Sequence, residues 1–219
     1  MNDRFQPEQH PSERHRAGAP DDSGPVVSGP DVSGPDVSRP VVSGQDVSRP
    51  VVERLARYGR AEQEEVLGTG ADPYGVAYTG LAFLPKEIHF GVRAADGRLV
   101  AHTGLLPLPL TAGGTDLVAM GVGGVCVAPD RRGGGLARTV VGAALDHART
   151  LGHRHALLFC RPPLAAFYRG IGFREVVEEV TVEQPEGRLA VMPLRTMWAP
   201  LAAGAGWPEG PVRLRSLPM

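Results

Sequence analysis

Val125-Cys126-Val127-Ala128-Pro129-Asp130-Arg131-Arg132-Gly133-Gly134-Gly135-Leu136-Ala137 is the stretch that decides how this chain is read. An apolar run that predicts a strand meets Pro129 and Asp130, then two arginines, three glycines and the start of a helical pattern at Leu136. A glycine-rich turn that opens a helix leaves backbone N–H groups unpaired at the positive end of the helix dipole, which suits an anion. Two arginines beside it suit a pyrophosphate, and glycines let the backbone come close. Neither common nucleotide fingerprint is met: the Lys-Ser/Thr of a P-loop is missing, and G-x-G-x-x-G does not occur in the stretch. The plainer alternative is a strand-to-helix turn that binds nothing.

Working outward, Met120-Gly121-Val122-Gly123-Gly124 precedes the end of the strand, and glycines inside a strand mark a bulge or a close backbone approach. Downstream come Leu158-Phe159-Cys160-Arg161 and Ala165-Ala166-Phe167-Tyr168-Arg169-Gly170-Ile171-Gly172-Phe173. The loop resembles the acyl-CoA motif Arg/Gln-x-x-Gly-x-Gly/Ala of the GCN5-related N-acetyltransferases (GNAT), met by Arg132, Gly135 and Ala137. The downstream run is similar to that family's second signature of strand, short helix, Phe-Tyr and Gly-Phe. Within the family the likeness is to the aminoglycoside 2'-N-acetyltransferases and the nodulation acyltransferases, over about residues 75 to 200, with Trp198 and Trp207 similar to their Trp-containing tails. Gly123 departs from the drug-modifying enzymes, which carry there a glutamate that helps hold a cationic substrate.

The resemblance implies an α/β (α+β) acyltransferase fold: a mixed, mostly antiparallel sheet with a splayed central strand and flanking helices. It implies acetyl-CoA as co-substrate, held by the backbone of Val125, Cys126 and Val127 and by the loop Arg132, Gly133, Gly134, Gly135, Leu136 and Ala137. Backbone N–H groups near Val125 to Val127 are then the donors for the thioester oxygen. Tyr168 falls where the family places a general acid, and a phenol near pKa ~10 donates to a thiolate without ionising at neutral pH. Its other reading is a packing tyrosine on an amphipathic helix. For the general base, His89, His102, Asp116 and Glu175 stay open, each against an ordinary hydrogen-bonded role; His147, His153 and His155 read as structural. Cys160 admits a ping-pong route through an acylated thiol, against the simpler reading of a small core residue.

Composition bounds the rest. The chain has 219 residues, with five-residue units of the type Pro-Asp-Val-Ser-Gly repeating from Pro25 to Arg49. A proline every fifth residue denies helix and ladder alike, so residues 1–52 are expected to be an extended, mobile spacer, and 53–219 the N-acetyltransferase domain. The start has no apolar stretch of a secretory signal. Residues 1–52 hold 5 Arg against 8 Asp+Glu, and residues 53–219 hold 18 Lys+Arg against 16 Asp+Glu. A domain so near neutrality carries no footprint for nucleic acid, and no run reaches membrane-spanning length. Lys86 is the sole lysine, in an Arg-, Ala-, Gly- and Pro-rich composition that fits a GC-rich bacterial coding bias. Cys126 and Cys160 lie in apolar runs without metal-ligand spacing, as buried thiols of a cytosolic protein would.

The predicted elements are a short helix or strand over 51–58, a helix over 62–67, and strands over 87–94 and 99–110 joined at Asp96-Gly97. Pro107 and Pro109 are expected to mark the exit of the second of these at an edge. A strand over 117–128 follows a hairpin at 112–116; then come a helix over 134–150, a strand over 155–160 and a short helix over 163–170. Single strands over 173–183 and 188–197, joined at Glu186-Gly187, complete the series. The tail after Leu201 carries Trp207, an aromatic able to cap a pocket. The expected activity is acyl-CoA-dependent transfer to a small-molecule primary amine, with protein or peptide N-acetylation and a non-catalytic acyl-CoA-binding module as the other two readings. A homodimer is left open.

Overall fold

The computed structural model describes residues 50–219; the repeat segment read as a spacer lies outside the described residues up to position 49. Strand β1 (Glu53–Leu55) and helix α1 (Arg60–Leu67) come first, with Glu62 accepting the Gly59 N–H at 2.8 Å to close the helix start. Strands β2 (Ile88–Arg93), β3 (Leu99–Ala112) and β4 (Thr115–Val127) form an antiparallel meander, and β1 lies on the outer edge of β2. Helix α2 (Leu136–Thr150) buries Val140, Val141, Ala144, Leu145 and Ala148, the face its 3.6-residue period sets out. Strand β5 (His155–Cys160) then returns parallel to β4, and the short helix α3 (Ala165–Arg169) follows.

The remaining strands are β6 (Arg174–Glu175), β7 (Val180–Glu183), β8 (Leu189–Val191), β9 (Arg195–Pro200) and β10 (Val212–Leu214). Hydrogen bonding orders the sheet β6-β9-β5-β4-β3-β10-β7-β8, with β2 and then β1 beside the first part of β3. Mostly antiparallel with parallel β4·β5 and β7·β10 pairs, it is the mixed α/β sheet expected. The core gathers Leu105, Leu108, Met120, Leu157 and Met197 from its central strands.

Three expectations fail in detail. Residues 173–183 are two strands rather than one: β6 pairs with β9, whereas β7 pairs with β8 and β10 far along the sheet. The intervening Val177 is 85% exposed, so the apolar pattern there reflects no continuous strand. Likewise 188–197 divides into β8 and β9. Pro107 and Pro109 do not end β3, which runs on to Ala112 in register with β4. The Pro109 carbonyl accepts from Arg215, on the side away from β4, and a strand residue's N points to the same side as its carbonyl. Both missing donors therefore face the gap that β2 leaves after Leu105 and β10 fills only from Leu110.

Candidate active site

Strands β4 and β5 pair only at Met120↔Ala156 and Gly121↔Leu157. Beyond that point they part, and the opening is the place where the chemistry-bearing residues meet. On the other side of β4 the register slips between His102 and Gly104: Cys126 faces His102 and Gly123 faces Gly104, with a bulge centred on Gly124. Gly124 takes φ +61°, a conformation that disfavours any side chain. Its carbonyl is turned to the buried His102, which it meets at Nδ1, 2.9 Å away.

A carbonyl only accepts, so His102 Nδ1 carries the proton and its Nε2 is the acceptor of the 3.1 Å contact with His89 Nδ1. Tyr58 stacks on His102 with ring centroids 3.4 Å apart and bonds Tyr74 Oη at 3.2 Å. Burial pushes His102 down to about 3, with His89 and Lys86 adding like charge. The imidazole is neutral and braces the bulge.

The loop from β4 to α2 has the character its glycines suggest. Gly133 and Gly135 take φ +83° and +77°, and α2 pairing begins only with the Thr139 N–H on the Gly135 carbonyl at 3.1 Å. From Gly133 to Arg138 no backbone N–H finds a backbone acceptor among the described residues. The loop borders a groove of about 470 Å³ bounded by Val125 to Val127, Arg131 to Gly133, Gly135 to Arg138, Leu164, Phe167 and Tyr168. Arg132 lies across the strand end, its Nε donating to the Val127 carbonyl at 3.3 Å. Gly134 belongs to the loop but not to the groove lining.

Cys126 departs from the expectation that its backbone holds a ligand. The Ala128 N–H donates to Val100 on β3, and strand alternation turns the backbone groups of Cys126 to β3 as well. Its thiol, pushed up to about 11 by burial, contacts Tyr58 Oη at 3.6 Å.

A second cavity, about 430 Å³, fills the mouth between the parted strands, with Val122 to Val125 on one wall and Phe159 to Arg161 on the other. Val125, Leu164 and Tyr168 line both spaces. Tyr168 is buried edge-on against Phe167 and Phe173, and burial raises its phenol above the ordinary range, with the Cys160 and Cys126 thiols adding to the rise. It is protonated at neutral pH. Cys160 also lines the cavity, but burial pushes its thiol up to about 11, and it points to Met197 Sδ at 3.8 Å, which favours the core reading over an acylated thiol.

The other sequence candidates disperse. Asp116 is tied to Thr111 and Arg215 at the far end of β4, Glu175 to Arg195; neither lines the cavity. His89 and His102 stand behind the bulge rather than in the cavity. His147 packs on Phe90, His153 contacts the Val118 carbonyl, and His155 contacts the Gly206 carbonyl. Trp207 stacks on Trp198 away from the mouth, so it caps nothing there; from the tail Met219 reaches the cavity instead. Sequence reading missed Tyr74, Lys86 and Arg161, all lining residues.

Residues 82–176 match the sequence profile of an acetyltransferase (GNAT) domain. Among solved structures, the chain is similar to the GNAT family N-acetyltransferase YhbS from Escherichia coli, crystallised with CoA. Identity is 18%, the TM-score 0.52, and 79% of this chain and 94% of that one are covered. A weaker likeness, TM-score 0.47 at 15% identity, joins 71% of this chain to 36% of the Neisseria gonorrhoeae N-acetylglutamate synthase, complexed with coenzyme A and N-acetyl-glutamate. No curated protein matches the sequence. No helix among the described residues is long and apolar enough to cross a membrane.

Proposed function

We propose that the chain, as a member of the GCN5-related N-acetyltransferase superfamily, transfers acetyl from acetyl-CoA, the co-substrate of that family, directly to the amine of a small molecule. The observation that carries the reading is the run of unpaired N–H groups from Gly133 to Arg138, opening on a groove that joins the second cavity at Tyr168. Those donors, at the positive end of a 15-residue helix, suit the pyrophosphate, with Arg131 and Arg132 adjacent. The groove then suits the pantetheine arm, and the cavity the acceptor.

Direct transfer forms the N–C bond and breaks the C–S bond, and the proton lost by the amine ends on the departing sulfur. Backbone donors about the bulge polarise the thioester oxygen as it gains charge. The Tyr168 hydroxyl, which keeps its proton, donates to the thiolate and relays the amine's proton to it. No Asp or Glu side chain among the described residues lines the cavity. Burial of the bound amine among largely apolar side chains favours its neutral, nucleophilic form. A cavity of about 430 Å³ lies at the small-molecule end of the range for ligand sites, which supports a small acceptor over an extended chain. Release of CoA thiol with a panel of amines tests the reading; no release with any amine, from protein that binds CoA, leaves an acyl-CoA-binding module instead.

A further inference from the structure

The cavity between β4 and β5 contains a cation that the fold leaves unanswered. The Lys86 stem runs past two glycines on neighbouring strands: a Cβ at Gly104 would meet its Cβ at 2.6 Å, and one at Gly123 would meet its Cε at 2.8 Å. The bare positions at Gly104 and Gly123 give the stem room to run along the wall beside the bulge. Ten ion pairs join charged residues elsewhere in the described chain, yet no carboxylate lies within 4.0 Å of the Lys86 ammonium. Arg161, on the opposite wall, has no such partner either. Phe83, Leu84, Phe159 and Leu194 give the cavity its apolar walls, with the phenols of Tyr74 and Tyr168 and the last residue, Met219, completing the lining.

Removing an ammonium from water without a counter-ion is unfavourable, and burial lowers the proton affinity of Lys86 accordingly. An anion that arrives with a ligand offsets that cost, whereas a polycation entering between Lys86 and Arg161 adds to it. A single ammonium among apolar side chains matches a monoanion on an apolar body better than a hydrated dianion. We propose that the acceptor is a carboxylate-bearing amine of the amino-acid type, its anion seated on Lys86 and its apolar part against Phe83, Leu84 and Leu194. The proposal rests on the acetyltransferase reading and deepens it: the absence of a carboxylate at Gly123 is matched by a cation in the space that a side chain there would fill.

Calorimetry on the full chain saturated with CoA tests it without turnover, using N-acetylleucine against N-acetylleucinamide as product probes. The expected result is ~10-fold tighter binding of the carboxylate, a preference that falls toward unity in Lys86→Met and returns in Lys86→Arg. Equal binding of the two probes by the wild-type chain, or binding of neither, overturns the proposal even if Lys86→Met fails to fold. Acetylation of Lys86 itself, seen as a mass increase after incubation with acetyl-CoA, also overturns it. Thiol release from acetyl-CoA with leucinamide but not leucine would sink the carboxylate assignment and leave the transferase reading standing.

Discussion

Between Phe167, Phe173 and two thiols, the Tyr168 hydroxyl is held protonated with no hydrogen-bond partner among the described residues, where groove and cavity meet. Tyr168→Phe keeps the packing and removes only that donor. Steady-state kinetics should show kcat lower by ~10²–10⁴-fold with CoA affinity unchanged; wild-type turnover would return Tyr168 to the core. His102 gives a pH-dependent expectation. Its native pKa of about 3 lies below the ordinary value of 6.5, so the unfolded chain binds a proton that the native state refuses. Its contribution is fully present above pH ~6.5 and is lost as pH falls toward ~3, by up to ~1.4 kcal/mol per pH unit. His102→Gln should therefore show a shallower fall of Tm between pH ~6.5 and ~4 than the wild type; parallel curves would contradict a neutral, buried imidazole. Tyr168 was legible because its neighbours form a pattern with it. Lys86 was not: one lysine in a Pro-Lys-Glu loop reads as surface, and only the strands that bring Gly104 and Gly123 together give it a cavity.

At the scale of elements, the strand–loop–helix unit from Val125 to Thr150 was readable because each signal is local: β-branched run, glycines, then a 3.6-residue period. Gly135→Val tests its proposed role, since φ +77° is strained for a β-branched residue and the new side chain would stand among the free N–H groups. Calorimetry should give a CoA Kd raised ~10-fold or more. The divided strands β6/β7 and β8/β9 were not readable, because the breaks at 176–179 and 192–194 keep the residue types of a strand and are imposed by which neighbour each half finds. Strand β10 was missed for a related reason: Val212-Arg213-Leu214 is too short to show a period, and its partners β3 and β7 are distant in sequence. Leu214 is wholly buried there, so Leu214→Ala should cost ~2–5 kcal/mol in denaturant unfolding. The tail is thus part of the sheet rather than a detachable cap, and deletion of residues 204–219 should abolish cooperative unfolding in denaturant.

For the whole molecule, the meander, the parallel return of β5 and the parted β4 and β5 follow the family resemblance, whereas closure of the sheet by the tail belongs to this chain's own contacts. Among the described residues, packing begins at Val52, where the partly buried side chain meets the core, and β1 follows at once. We propose that residues 1–49 are a spacer without a part in the chemistry; a chain lacking them should keep Tm and kcat/KM, and a large loss of either would show that the repeat contributes to the domain. One consequence concerns biosynthesis. Val212 pairs with Ala112, so a chain growing from its N-terminus carries the end of β3 for a further hundred residues before β10 exists. At ~5–20 residues per second that is ~5–20 s during which the last residues of β3 offer unpaired backbone to any passing strand. Pro107 and Pro109, by removing two donors from that same side of β3, make the exposed stretch just before it a poor template for the wrong partner while the right one is still being made.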